Sequence, residues 1–253
     1  MYRQKGFTLT ELIMVIVILG IVSTISVQFI RFSTQSAIDT STRQQVALAG
    51  MNILEPISRD LRGALPESIR RSSDECIEFL PIVDAGRYES LPKDTDEPDV
   101  LRTIGEPRDD SSSGYVVIYP HAGDPHDGGR VRASEEVTWS GESIQFSSNA
   151  PFDDGSPARR FFLVSNPVAY CHDGGEGVIR RFSGYEFDSS PGSDDVDGVA
   201  GAGVIGFGFN IDGPSLSRNA LITLEVELES LRSGAREDET HTLAREVQIR
   251  NVP

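Results

Sequence analysis

Glu11 is the first residue with chemical potential, because the run from Phe7 to Ile30 is otherwise uncharged and mostly apolar. A carboxylate in hydrocarbon costs several kcal/mol unless a cation pairs with it, or unless it is protonated or snorkels near the interface. The run supplies no lysine or arginine. A partner must come from another chain or from a chain terminus.

Other candidate groups are weaker. Cys76 and Cys171 have no Cys-x-x-Cys or Cys/His metal spacing. In an oxidising compartment their leading reading is a disulfide, closing a loop of roughly 95 residues and contributing about 4 kcal/mol by restricting the unfolded chain. Two unrelated buried thiols are the alternative. His121, Asp124, His126 and Asp127 fall in HAGDPHDGG, a stretch of turn formers without a recognised ligand spacing, which reads as a solvated loop. Asp188, Asp194, Asp195 and Asp197 offer hard oxygen ligands that suit calcium, but their spacing misses the EF-hand loop, and a solvated acidic loop is the competing reading. Gly201, Gly203 and Gly206 spell G-x-G-x-x-G, a dinucleotide fingerprint that needs a strand before it and a helix after it. Here an acidic loop precedes and the alternating FGFNI follows, so nucleotide binding is not expected. G-x-S-x-G and H-E-x-x-H are absent, and Cys171 and His172 are merely adjacent. The chain reads as a non-enzyme without a cofactor, with calcium the one candidate ion.

The elements that must position Glu11 are set by composition. The 253 residues carry 39 acidic and 23 basic side chains, a formal charge of -16. Nucleic acid is excluded as a partner, since phosphate binding needs a clustered positive surface. Up to Ile30 the only charged residues are Arg3, Lys5 and Glu11, so the remainder is the acidic part. Residues 7–30 as a helix reach about 36 Å, enough for one bilayer crossing with some tilt. Arg3 and Lys5 on the short leading tail keep that end cytoplasmic, which puts everything after Arg31 outside, in the periplasm for a bacterial inner membrane. A cleaved secretory signal fits less well: the apolar run is too long, contains an acid and lacks an Ala-x-Ala site.

Lys5-Gly6-Phe7-Thr8-Leu9-Thr10-Glu11-Leu12, a basic leader ending in glycine before a long apolar helix, resembles the processing signal of type IV prepilins and type II secretion pseudopilins. That resemblance implies cleavage between Gly6 and Phe7 by a prepilin peptidase, N-methylation of Phe7, and pairing of Glu11 with the N-terminal ammonium of a neighbouring subunit during filament assembly. Two charges that are each costly in lipid offset one another when the helices align. Gly20, Ser23 and Ser26 are small enough to allow close helix packing. Segments 55–69, 159–171, 177–187 and 244–253 are similar to minor pilins of the mannose-sensitive haemagglutinin (MSHA) type, which are related to the minor pseudopilin J of type II secretion. The implied partners are other pilin or pseudopilin subunits, the prepilin peptidase and the inner membrane.

Beyond the span, Val46, Ala49, Ile53, Ile57, Leu61 and Ala64 recur at helical spacing, predicting an amphipathic continuation with a kink at Pro56 and a stop at Pro66. The period then changes to two. Ile205, Phe207, Phe209 and Ile211 form one alternating set and Ile222, Leu224, Val226 and Leu228 another, with shorter signals at 116–119, 161–164, 178–182 and 247–249. The expected fold class is α+β: a long N-terminal helix packed on an antiparallel β-sheet domain, as in type IV pilins. The expected divisions are a leader at 1–6, a membrane helix at 7–30, an amphipathic helix at 31–65 and a β-rich body at 66–253. The competing expectation is a membrane-anchored periplasmic binding protein or adhesin that reuses the anchor.

Overall fold

A computed structural model of the chain describes residues 7–92, 99–105, 110–127, 131–147, 152, 154–187, 189–212, 220–229 and 240–249. The chain opens with one helix, α1 (Leu9–Arg62), of 54 residues. At 1.5 Å per residue it is about 80 Å long, far beyond what the body it carries can cover. Its buried positions, Gly50, Ile53, Leu54, Ile57, Ser58 and Leu61, recur at three and four and form a stripe in the last turns only. Ala49, expected on that stripe, is exposed.

α1 passes through Pro56 as a single element. Proline removes the donor that would serve the carbonyl of Asn52, and Asn52 lies on the exposed face, where water can replace it. The helix ends at Arg62, ahead of the stop expected at Pro66. Gly63 caps it by donating to Asp60 O at 3.0 Å. The next residues then pair as a strand would: Ala64 bridges Pro81, Leu65 N donates to Leu80 O at 2.9 Å and Ile82 N donates to Gly63 O at 2.9 Å. Competition from this pairing ends the helix before the proline can.

Fourteen strands follow among the described residues: β1 (Arg70–Ser73), β2 (Cys76–Phe79), β3 (Ile82–Ser90), β4 (Val100–Ile104), β5 (Ser112–Ile118), β6 (Val137–Trp139), β7 (Ser143–Gln145), β8 (Arg160–Val164), β9 (Val168–Asp173), β10 (Val178–Ser183), β11 (Val196–Ala202), β12 (Val204–Asp212), β13 (Ala220–Glu229) and β14 (Thr240–Ile249). All their pairings are antiparallel, in three sheets rather than the one the sequence suggests: β1-β2-β9-β10-β11, β12-β13-β14 and β6-β5-β8-β3-β4-β7.

The first two sheets and the end of α1 share one core, with Ile57 and Leu61 against Phe79, Tyr170, Ile222 and Leu224. Gly201 on β11 allows the closest approach, since a Cβ there would sit 2.3 Å from Ile53. The third sheet, with residues 80–167, is inserted between β2 and β9, which themselves pair at Phe79 and Val168. Its edge strands β6 and β7 are consecutive and touch, so it curls round its own core of Leu101, Val116, Trp139, Ile144, Phe161 and Leu163. Leu65, Leu80, Val117, Val164 and Phe187 form the seam between this inserted lobe and the helix-bearing lobe.

Alternation on β13 is as the sequence reads it, with Ile222, Leu224, Val226 and Leu228 buried and Glu225, Glu227 and Glu229 exposed. On β12 it is not. Phe207 and Phe209 are buried, but a register shift between Val204 and Gly206 turns Ile205 outward and buries Val204 instead.

Candidate assembly site

α1 begins at Thr8, whose hydroxyl accepts from Glu11 N at 3.4 Å. Thr8 and Glu11 thus hold the N-cap and N3 positions of a Thr-x-x-Glu start, which fixes where the first turn begins and puts the carboxylate at the positive end of the helix dipole. Phe7 precedes it and is 80 % exposed. Gly6 lies outside the described residues. Every residue from Phe7 to Ile38 is exposed, so this apolar length is not buried against any of the described residues. Among the described residues α1 is the one helix long and apolar enough to cross a membrane. Nothing stands within 4 Å of where a Cβ on Gly20 would be, so the helix surface is open there to a neighbour.

The far end of α1 is fastened by a polar group. Asp60 Oδ2 accepts from Tyr170 Oη at 2.8 Å and from Arg181 Nε at 3.0 Å, and Arg181 is also paired with Asp197. Burial, and then the adjacent Asp60 carboxylate, push the Tyr170 phenol well above its ordinary range. The tyrosine is therefore a neutral donor throughout the physiological range. Cys76 and Cys171 are bonded, directly opposite one another on β2 and β9 with their Cα atoms 4.1 Å apart.

The aspartates weighed for calcium are not gathered. Asp197 is paired with Arg181 and also accepts from Ser183 Oγ at 3.0 Å, Asp195 Oδ2 accepts from Gly192 N at 2.7 Å, and Asp194 Oδ1 accepts from Ser193 Oγ at 3.5 Å. Asp188 lies outside the described residues. Among the described residues no group of three or more His, Cys, Asp or Glu side chains is arranged to hold a metal ion. Gly201 and Gly203 sit at a strand–turn–strand connection, Gly203 with φ of +74°, and β12 follows in place of the helix a dinucleotide site needs. Of the acidic stretch before them, residues 189–195 lie outside the strands, with a short 3-10 turn at Ser193–Asp195, and β11 takes up only its end from Val196.

In the HAGDPHDGG stretch His121, Asp124 and Asp127 are exposed, as a solvated loop requires, but His126 is not. His126 is buried, with Nε2 2.7 Å from Ser68 O, and it lies beside a second buried group that sequence reasoning did not single out: Glu78, Arg132 and Tyr185. Glu78 accepts from Arg70 Nε at 2.6 Å and from Tyr185 Oη at 2.8 Å. Its only sequence signal is a charge in CIEFLP, where strand alternation gives no reason to bury it.

An exposed apolar helix headed by a capped glutamate, on a disulfide-bonded antiparallel body, defines a protein anchored through its N-terminal helix. Residues 1–27 match the family model of the prokaryotic N-terminal methylation motif, which supports a type IV pilin- or pseudopilin-like protein. No curated protein and no solved structure matches the chain.

Proposed function

We propose that the protein is a minor pilin of the MSHA type, held in the bacterial inner membrane as a pool and incorporated at or near the tip of a type IV pilus, where it assists filament assembly. The observation that carries this reading is the first half of α1, apolar and exposed on all sides, with Phe7 and Glu11 at its head. In this reading the prepilin peptidase cuts between Gly6 and Phe7, the new amine of Phe7 is methylated, and Glu11 pairs with the N-terminal ammonium of the adjacent subunit. The β-rich body is periplasmic and the leader cytoplasmic. The segments similar to MSHA minor pilins fall on the end of α1, on β8 to β10 and on β14. The type II secretion pseudopilin J shares the processing signal and is the nearest alternative. The inserted lobe, with a core of its own, favours a further one, an anchored periplasmic binding protein or adhesin.

Intact-mass and N-terminal peptide mass spectrometry on protein from native membranes tests the reading. A chain beginning at Phe7 with one added methyl group supports it. A chain beginning after Ser26, or one retaining Met1, overturns it. Glu11→Lys is expected to remain in the membrane and fail to enter filaments, and normal entry removes the pairing role. Loss of piliation with secretion intact on deletion separates pilin from pseudopilin.

A further inference from the structure

The segment Tyr119–Asp127 leaves β5 in the inserted lobe and runs onto the helix-bearing lobe. It starts from a left-handed residue, Tyr119 with φ of 48°, a conformation that costs about 1 kcal/mol or more for a bulky side chain. The strap is pinned by His126. Ser68 O can only accept, so the imidazole donates through Nε2, and neutral His126 leaves a lone pair on Nδ1. That Nδ1 is buried without a hydrogen-bond partner, 3.9 Å from Glu78 Oε2.

The charges facing it come from every adjoining element. Glu78 on β2 is already served by Arg70 on β1 and by Tyr185 after β10. Arg132 closes the other side, donating to Pro125 O at 2.9 Å and to His126 O at 3.0 Å, with its guanidinium 3.6 Å over the Phe187 ring. Asp124, on the strap itself, accepts from His126 N at 2.9 Å and lies 3.7 Å from Arg70. Arg70 already balances the buried Glu78 carboxylate, so one proton more on His126 would add a positive charge that this carboxylate no longer compensates, at a site closed to water. Beside Glu78 and Asp127 a polar cleft of about 410 Å³ separates the strap from Phe187, Ser189, Ser190 and Pro191.

We propose that the Tyr119–Asp127 strap is an acid-released clasp between the two lobes: uptake of one proton from solvent at Nδ1 of His126 detaches the strap from Ser68 and opens the cleft at Glu78. Burial is the main cause holding the imidazole below its ordinary value, with Arg70 acting in the same direction, against the Ser68 hydrogen bond and the Glu78 and Asp124 charges. For a histidine depressed in the closed state, the clasp is fully made above the ordinary value near 6.5 and weakens as pH falls below it. His121 Nδ1, on the same strap, lies 3.8 Å from Glu67 of the helix-bearing lobe.

Hydrogen exchange on the full chain in detergent micelles, corrected for the intrinsic effect of pH, tests the clasp. Protection of the strap is expected to fall about tenfold for each pH unit below 6.5 until His126 is charged in the closed state. His126→Gln is expected to abolish that dependence. Equal corrected protection at pH 7.5 and 5, or the same acid loss in His126→Gln, overturns the proposal. Where that variant fails to fold, nitrogen NMR of labelled histidines in the unaltered chain decides: a His126 midpoint below 6.5 with Nδ1 as the titrating atom supports the clasp, and a midpoint at or above 6.5 overturns it.

Discussion

The two ends of α1 share one backbone and opposite surroundings. From Phe7 to Ile38 every residue is exposed although most are apolar, while from Gly50 to Leu61 a narrow stripe is buried against both sheets of the helix-bearing lobe. Apolar composition therefore does not locate this protein's own core. The more hydrophobic end contributes nothing to the fold of the body, and the more polar end holds it. Surface left bare over that length is retained for something outside the chain, lipid or other helices.

The largest expected effect is at the packed end. Leu61→Ala should destabilise the body by about 2–5 kcal/mol in chemical denaturation, through lost burial and the cavity left behind. Gly201→Val forces a side chain into Ile53 and should cost about 1–3 kcal/mol, read as a lower thermal midpoint. Asp60→Asn keeps the shape but removes the charge that serves Tyr170 and Arg181. A loss of about 1 kcal/mol is expected from denaturant titration, modest because the group is partly solvated. Leu19→Ala, in the bare end, should change the stability of the body by less than about 0.5 kcal/mol by the same titration. A cost there comparable with Leu61→Ala would mean that the two ends are not independent.

Sequence periodicity revealed the helix and the strands with one wet face, because β13 and the end of α1 bury a single regular side. It did not reveal the inserted lobe. β4, β6 and β7 are three to five residues long, too short for a period to register, and β2 is buried almost throughout, so that it does not alternate. The outward turn of Ile205 was hidden because a one-residue register shift leaves no mark in composition. Around the candidate site, Glu11 stands out in the sequence because a charge in an apolar run is conspicuous. His126 does not, because it lies among turn-forming residues and is buried by contacts with residues distant in sequence, such as Ser68, 58 positions earlier, and Glu78.

The bond between Cys76 and Cys171 has a mechanical consequence. The inserted lobe lies wholly within the 95-residue interval that the bond closes. Tension applied along the chain, from α1 toward β14, crosses from β2 to β9 through the sulfurs and bypasses that lobe. Even if the inserted lobe unravelled under load, the end-to-end length would not grow by the roughly 300 Å that its extended backbone could supply. A pulled chain would keep its reach while the lobe remained free to yield and refold.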